Sequence, residues 1–95
     1  MTVTSLLELT IKPEYLAEAE RIIDETLVAT RGFAGNLGCV VAVDTEDPTH
    51  YVVDEKWESL EADDAYRAFR DTPAGANRLG EITSAVVLTR YTNVG

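Results

Sequence analysis

CVVAVDTEDPTHYVVDEKW, residues 39–57, decides how the rest of the chain is read. Cys39–Val43 is an unbroken apolar run. Tyr51–Trp57 is a second strand-like run in which Tyr51, Val53, Glu55 and Trp57 share one face at period two. Between them lies DTEDPTH, whose Asp, Thr and Pro side chains favour tight turns. A connection this short joins antiparallel neighbours, so the stretch predicts a β-hairpin.

N-terminal to the hairpin, residues 2–12 alternate in part, with Leu7, Leu9 and Ile11 on one side and Leu6, Glu8 and Thr10 on the other, which predicts a strand. Pro13 suits a first helical position. From Glu14 to Thr30, Leu16, Ala19, Ile23 and Leu27 recur at helical spacing with Ile22 beside them. Glu14, Glu18 and Glu20 sit where the helix dipole favours negative charge, and Arg31 and Gly32 close the helix. Gly32, Gly35 and Gly38 then punctuate RGFAGNLG. This loop follows a helix and precedes a strand, the reverse of a phosphate cradle, so these glycines read as turn residues.

C-terminal to the hairpin, Ser59 is a good N-cap for a helix through about Arg70 with Ala62, Ala65, Tyr66 and Phe69 inward. Thr72 and Pro73 predict a short helix ending at Gly80, and Ile82–Thr92 predicts the last strand. The resulting order, strand–helix–strand–strand–helix–strand, predicts a single α+β domain over residues 1–95. It is ferredoxin-like βαββαβ, with a four-stranded antiparallel sheet and its helices on one face. The strands Cys39–Val43 and Ile82–Thr92 are apolar on both sides, and two helices cover only one. The other face predicts a second copy packed sheet to sheet, a homodimer.

Composition excludes more than it assigns. Of 95 residues, 17 are Asp or Glu and 8 Lys or Arg, a net charge of −9 that argues against nucleic acid and anionic membrane as partners. One cysteine, Cys39, and one histidine, His50, support neither an intrachain disulfide nor a zinc site. No basic leader or long apolar run is present, which leads to the expectation of a cytoplasmic protein. The clusters Asp44/Glu46/Asp47 and Glu61/Asp63/Asp64 lack calcium-loop spacing and read as a solvated turn and a helix start. Ser5, Ser59 and Ser84 have no triad spacing with His50.

Gly35 and Gly38, Asp47-Pro48, Glu55-Lys56-Trp57, Ser59 and Glu61-Ala62, with TIKP before the first helix, together resemble the antibiotic biosynthesis monooxygenase family of dimeric α+β barrels. The specific part is the Glu-x-Trp-x-Ser run at the strand end, while the element order matches over nearly the whole chain. The resemblance implies a homodimer with facing sheets and a small apolar cavity between sheet and helices. It also implies oxidation of a phenolic, anthrone or quinol-type aromatic by O₂ without a cofactor. Such chemistry asks for an apolar box, a proton acceptor and donors that stabilise an anion.

Two departures stand out. Where many members carry histidines on the second helix and after a Thr-Pro pair, this chain has Tyr66 or Phe69 and Ala74. The places of the haem-degrading branch's Asn, aromatic and His fall at Leu9, Tyr66 and Ala76, so no iron ligand is present and haem degradation is rejected.

The catalytic candidates are Trp57, Tyr66 and Glu55. Trp57 either walls a pocket or is core. Glu55 is either a general base or half of an ion pair, with Arg90 as the expected partner. Tyr66 either meets a phenolate or packs inward. The substrate-binding candidates are Tyr51, Arg90, Asn36, Phe69 and Phe33, against the alternatives of a paired Arg90, a turn Asn36, and Phe33 and Phe69 as filling. Cys39 reads as a small hydrophobe. Three functions follow: a cofactor-free monooxygenase, a polyketide cyclase or isomerase in the same cavity, or a non-catalytic dimeric ligand-binding protein that lacks the acid–base residues. The enzyme readings turn on an open cavity beside Trp57, faced by Glu55 or Tyr66; a filled one removes it.

Overall fold

The computed structural model describes residues 1–95. Its strands are β1 (Val3–Ile11), β2 (Asn36–Val43), β3 (His50–Trp57) and β4 (Thr83–Thr92); its helices are α1 (Ala19–Gly32), α2 (Leu60–Arg70) and α3 (Leu79–Ile82). The sheet order is β2-β3-β1-β4, and every neighbouring pair is antiparallel. This is the predicted ferredoxin-like α+β fold, a sheet with one layer of helices.

The hairpin forms as its sequence demands. Asp47 Oδ1 accepts hydrogen bonds from the Thr49 amide (3.0 Å) and hydroxyl (2.7 Å), and Asp44 Oδ1 accepts one from the Glu46 amide (2.9 Å), so the turn closes on its own side chains. Val3, Ser5, Leu9 and Ile11 of β1 and Val53, Glu55 and Trp57 of β3 are buried beneath the helices. Leu9, Ile11, Val53 and Ile82 meet Ala19, Ile22, Ile23 and Leu27 of α1 in the larger core, and Val3, Trp57 and Tyr66 form a smaller one under α2.

Several boundaries differ from the prediction. Pro13 opens a single 3-10 turn, α geometry begins only at Ala19, and the helix runs on to Gly32 instead of ending at Thr30. β2 starts three residues before Cys39, at Asn36. A bulge at Asn36–Gly38 carries it past Leu37, with Gly38 at φ +141° and its amide donated to Asn36 Oδ1 (2.9 Å). The helix expected from Thr72 to Gly80 is two pieces, a 3-10 turn at Pro73–Gly75 and then α3, and Gly80 lies inside α3. Asn77 Oδ1 accepts the Leu79 amide (2.9 Å) and breaks the run between them.

β4 holds a further difference. Its register on β1 sets Val86, Leu88 and Arg90 on the helix face, opposite Leu9, Leu7 and Ser5. The helices stand over β1–β3 and meet this edge strand only near its ends, at Thr83 and Arg90, leaving its middle uncovered on both sides. Val86 and Leu88 are 50% and 40% exposed on one face, and Val87 and Tyr91 53% and 51% on the other.

Candidate functional site

α2 lies across one end of the sheet because Ser59 fixes its start, Oγ accepting the Ala62 amide (3.1 Å). From there Tyr66 and Phe69 reach inward over Trp57. Four predicted residues meet here in one aromatic cluster. Tyr66 lies 5.0 Å from Trp57, centroid to centroid, and 5.4 Å from Phe33, and Phe33 lies 5.4 Å from Phe69. Trp57 and Tyr66 are buried, with Phe33 and Phe69 half-buried at the rim. The space beside Trp57 is therefore filled by rings.

Glu55 stands at the inner edge of the cluster. Its Oε1 accepts hydrogen bonds from Trp57 Nε1 (3.2 Å) and from Arg67 Nη2 (2.6 Å). Burial pushes the Glu55 carboxyl above the usual carboxylate range, against the opposing pull of Arg67 and the indole N–H. The expected partner, Arg90, is elsewhere. β1 separates β4 from β3, so Arg90 pairs with Ser5 in register and Glu55 lies one strand further on, about 10 Å away. Arg90 Nη1 instead contacts Asp64 Oδ1 (2.5 Å) and Asp63 Oδ2 (3.4 Å).

Asp63 also corrects the sequence reading. It is not part of a solvated helix start: it is fully buried and accepts the Ser5 hydroxyl (2.8 Å), with Arg67 Nε 3.0 Å from its other oxygen in poor hydrogen-bond alignment. Ser5, Asp63, Arg67, Glu55 and the Trp57 indole thus form one chain of polar contacts from β1 through α2 to β3. Sequence reasoning missed Arg67 and Ser5. The Asp63–Arg67 spacing, four apart on a helix, was the available signal.

Of the remaining residues, Asn36 and Cys39 lie beside the cluster, opposite Trp57 and Glu55 in register, while Tyr51 and His50 lie apart. Asn36 is half-buried and its side-chain oxygen is spent on the Gly38 amide. Tyr51 sits six residues along β3 from Trp57, about 20 Å away, beside a groove of about 360 Å³ that runs along β2 under Glu20, Asp24 and Arg31. Cys39 is half-buried and its thiol is pushed up by burial first, then by Glu55. His50 is half-exposed at the hairpin between Asp44 Oδ2 (3.1 Å) and Glu8 Oε1 (3.3 Å), and the Asp44 hydrogen bond leads in raising its pKa. No cluster of three or more His, Cys, Asp or Glu side chains has a metal-holding arrangement, and no helix is long and apolar enough to cross a membrane.

A family model described as antibiotic biosynthesis monooxygenase matches residues 2–75. Among solved structures, the fold is shared with one described as an antibiotic biosynthesis monooxygenase, at 21% identity and TM-score 0.80, covering 98% of this chain and 99% of that one. Rv0793 from Mycobacterium tuberculosis is similar at 18% identity and TM-score 0.81, covering 100% and 97%. PA3566 from Pseudomonas aeruginosa is similar at 17% identity and TM-score 0.78, covering 99% and 95%. At these identities the structural likeness is one of fold. No curated protein sequence matches the chain.

Proposed function

From the chain's membership of the antibiotic biosynthesis monooxygenase family, we propose that it oxidises a small phenolic, anthrone or quinol-type aromatic with O₂, without a cofactor, as a homodimer. The observation that carries this reading is Glu55: a buried carboxyl of raised pKa, hydrogen-bonded to the Trp57 indole inside an aromatic cluster. A carboxylate so placed is a competent proton acceptor for a phenol. The resulting anion gives an electron to O₂ and the radicals recombine. Trp57 and Tyr66 supply the flat walls for an aromatic ring, and the Arg67 guanidinium, whose Nη1 is uncommitted while Nη2 holds Glu55, supplies a donor beside the developing charge. The open cavity beside Trp57 on which the enzyme readings turn is absent from this single chain, where Phe33 and Phe69 fill the place a substrate would take, so the oxygenase reading requires these half-buried rim rings to swing away.

That filling, with Glu55 tied to Arg67 and no histidine nearby, favours a second reading, a dimeric ligand-binding protein without turnover. An oxygen electrode with a panel of anthrones and quinols tests the choice. O₂ uptake that depends on the protein, rises in Phe33→Ala and falls in Glu55→Gln supports the oxygenase. Product without O₂ uptake indicates a cyclase or isomerase, and a thermal-shift response without product indicates the binding protein.

A further inference from the structure

Arg70, the last residue of α2, has no carboxylate partner. Five of the eight cations do: Arg21, Lys56, Arg67, Arg78 and Arg90. Of the others, only Arg70 is held rigidly. Its Nε donates to the Tyr66 hydroxyl (2.6 Å), Nη1 to the Gly75 carbonyl (3.3 Å), and Nη2 to the Thr26 carbonyl (2.8 Å) and the Thr30 hydroxyl (3.1 Å). Its guanidinium carbon lies 5.0 Å from the Tyr66 ring centroid. All of these acceptors are neutral, so they fix the guanidinium without cancelling its charge, and one Nη1–H of its five is left over.

Arg70 lines a groove of about 260 Å³ between α1 and residues 74–78, whose apolar wall is Ile22, Ala29, Ala74 and Ala76. Two charged rim residues are already paired, Glu25 with Arg21 (3.0 Å) and Arg78 with Glu81 (2.8 Å). Gly75 holds the floor closed: a Cβ there would overlap the Phe69 carbonyl oxygen, so only glycine lets this segment lie against the end of α2. The groove thus combines a preorganised, uncompensated guanidinium with a small apolar wall. A carboxylate on an apolar body is the anion that the one free Nη1–H, the uncompensated charge and this wall accept.

We propose that this groove is a binding site for a small aromatic or aliphatic carboxylate, held on Arg70. It adjoins the Glu55 cluster through Tyr66 and Phe69, against which Arg70 is held, but does not depend on the oxygenase reading. Benzoate titrated into the ¹⁵N-labelled protein tests it. The expected result is a saturable shift of the Ala74, Ala76 and Asn77 amides that the neutral isostere benzamide does not reproduce. Ala76→Leu, an exposed position that fills the groove without touching the hydrogen bonds of Arg70, should weaken benzoate about tenfold, and Arg70→Gln at least as much. Equal binding of benzamide, no saturable shift, or unchanged affinity in a folded Ala76→Leu protein overturns the proposal.

Discussion

At the residue scale, Glu55 ties the site to stability. Its carboxyl is raised by burial, so the folded chain holds this proton to higher pH than the unfolded one. Between the unfolded pKa, near 4.3, and the raised folded value, the folded state binds more protons and stability falls as pH rises. Glu55→Gln removes that slope. The wild type should therefore lose stability relative to the variant as denaturation is followed from about pH 4.5 upward, and a constant difference would mean that Arg67 fully offsets the burial. Arg67 is tested the other way. Arg67→Ala strands Glu55 as a buried charge, leaves Asp63 only Ser5 and the longer Arg90 contact, and should cost about 3–5 kcal/mol of unfolding free energy. That Glu55 and Trp57 share a face was legible from strand alternation alone. Its partner was not, because which arginine reaches Glu55 depends on how α2 is rotated over the sheet. Strand register moreover places Arg90 beyond β1.

At the element scale, the order of strands and helices was readable because each segment's periodicity agreed with its flanking turn chemistry. The ends were less so. Pro13 and Pro73 each satisfy a 3-10 turn as well as an α-helix start, and only the packing of Tyr15, Leu16 and Leu79 on the core selects between them. The glycines separate by the same reasoning. Gly35 turns the chain from α1 into β2 at φ +87°, and a Cβ there would lie 2.5 Å from Ala62 Cβ on α2. Its carbonyl also accepts the Glu58 amide (2.9 Å), so strain at Gly35 reaches the start of α2. Gly35→Ala should cost about 2–4 kcal/mol, the sum of a left-handed backbone and an overpacked contact. Gly32 lies in α1, and a methyl group there would meet nothing within 4 Å, so Gly32→Ala should gain about 0.5–1 kcal/mol. Urea denaturation of the two variants, with unchanged m-values, measures both.

At the scale of the whole molecule, charge and exposed apolar surface pull in opposite directions. β4 leaves Val87 and Tyr91 about half exposed on the sheet's open face, where Val40 of β2 is 66% exposed. Joining two copies through that face would shield these side chains, at about 25 cal/mol per Å² of apolar area removed from water. Each copy, however, carries −9, and nothing on the open face offsets it: Lys56 is already paired with Asp54 (3.2 Å), and His50 lies between Asp44 and Glu8. Two such chains repel over a Debye length, which shrinks from about 30 Å at 0.01 M salt to about 8 Å at 0.15 M. The homodimer should therefore tighten with salt, by roughly tenfold or more across that range. In sedimentation at micromolar concentration, the mass should approach two chains at about 0.15 M and fall toward one at about 0.01 M. Val87→Glu, which adds a charge at the centre of the last strand without entering the core, should hold the protein at one chain even at the higher salt while leaving its unfolding cooperative. A single-chain mass for the wild type at every salt concentration would show that the open face is stable in water, and that the apolar side chains of β4 reflect strand propensity alone.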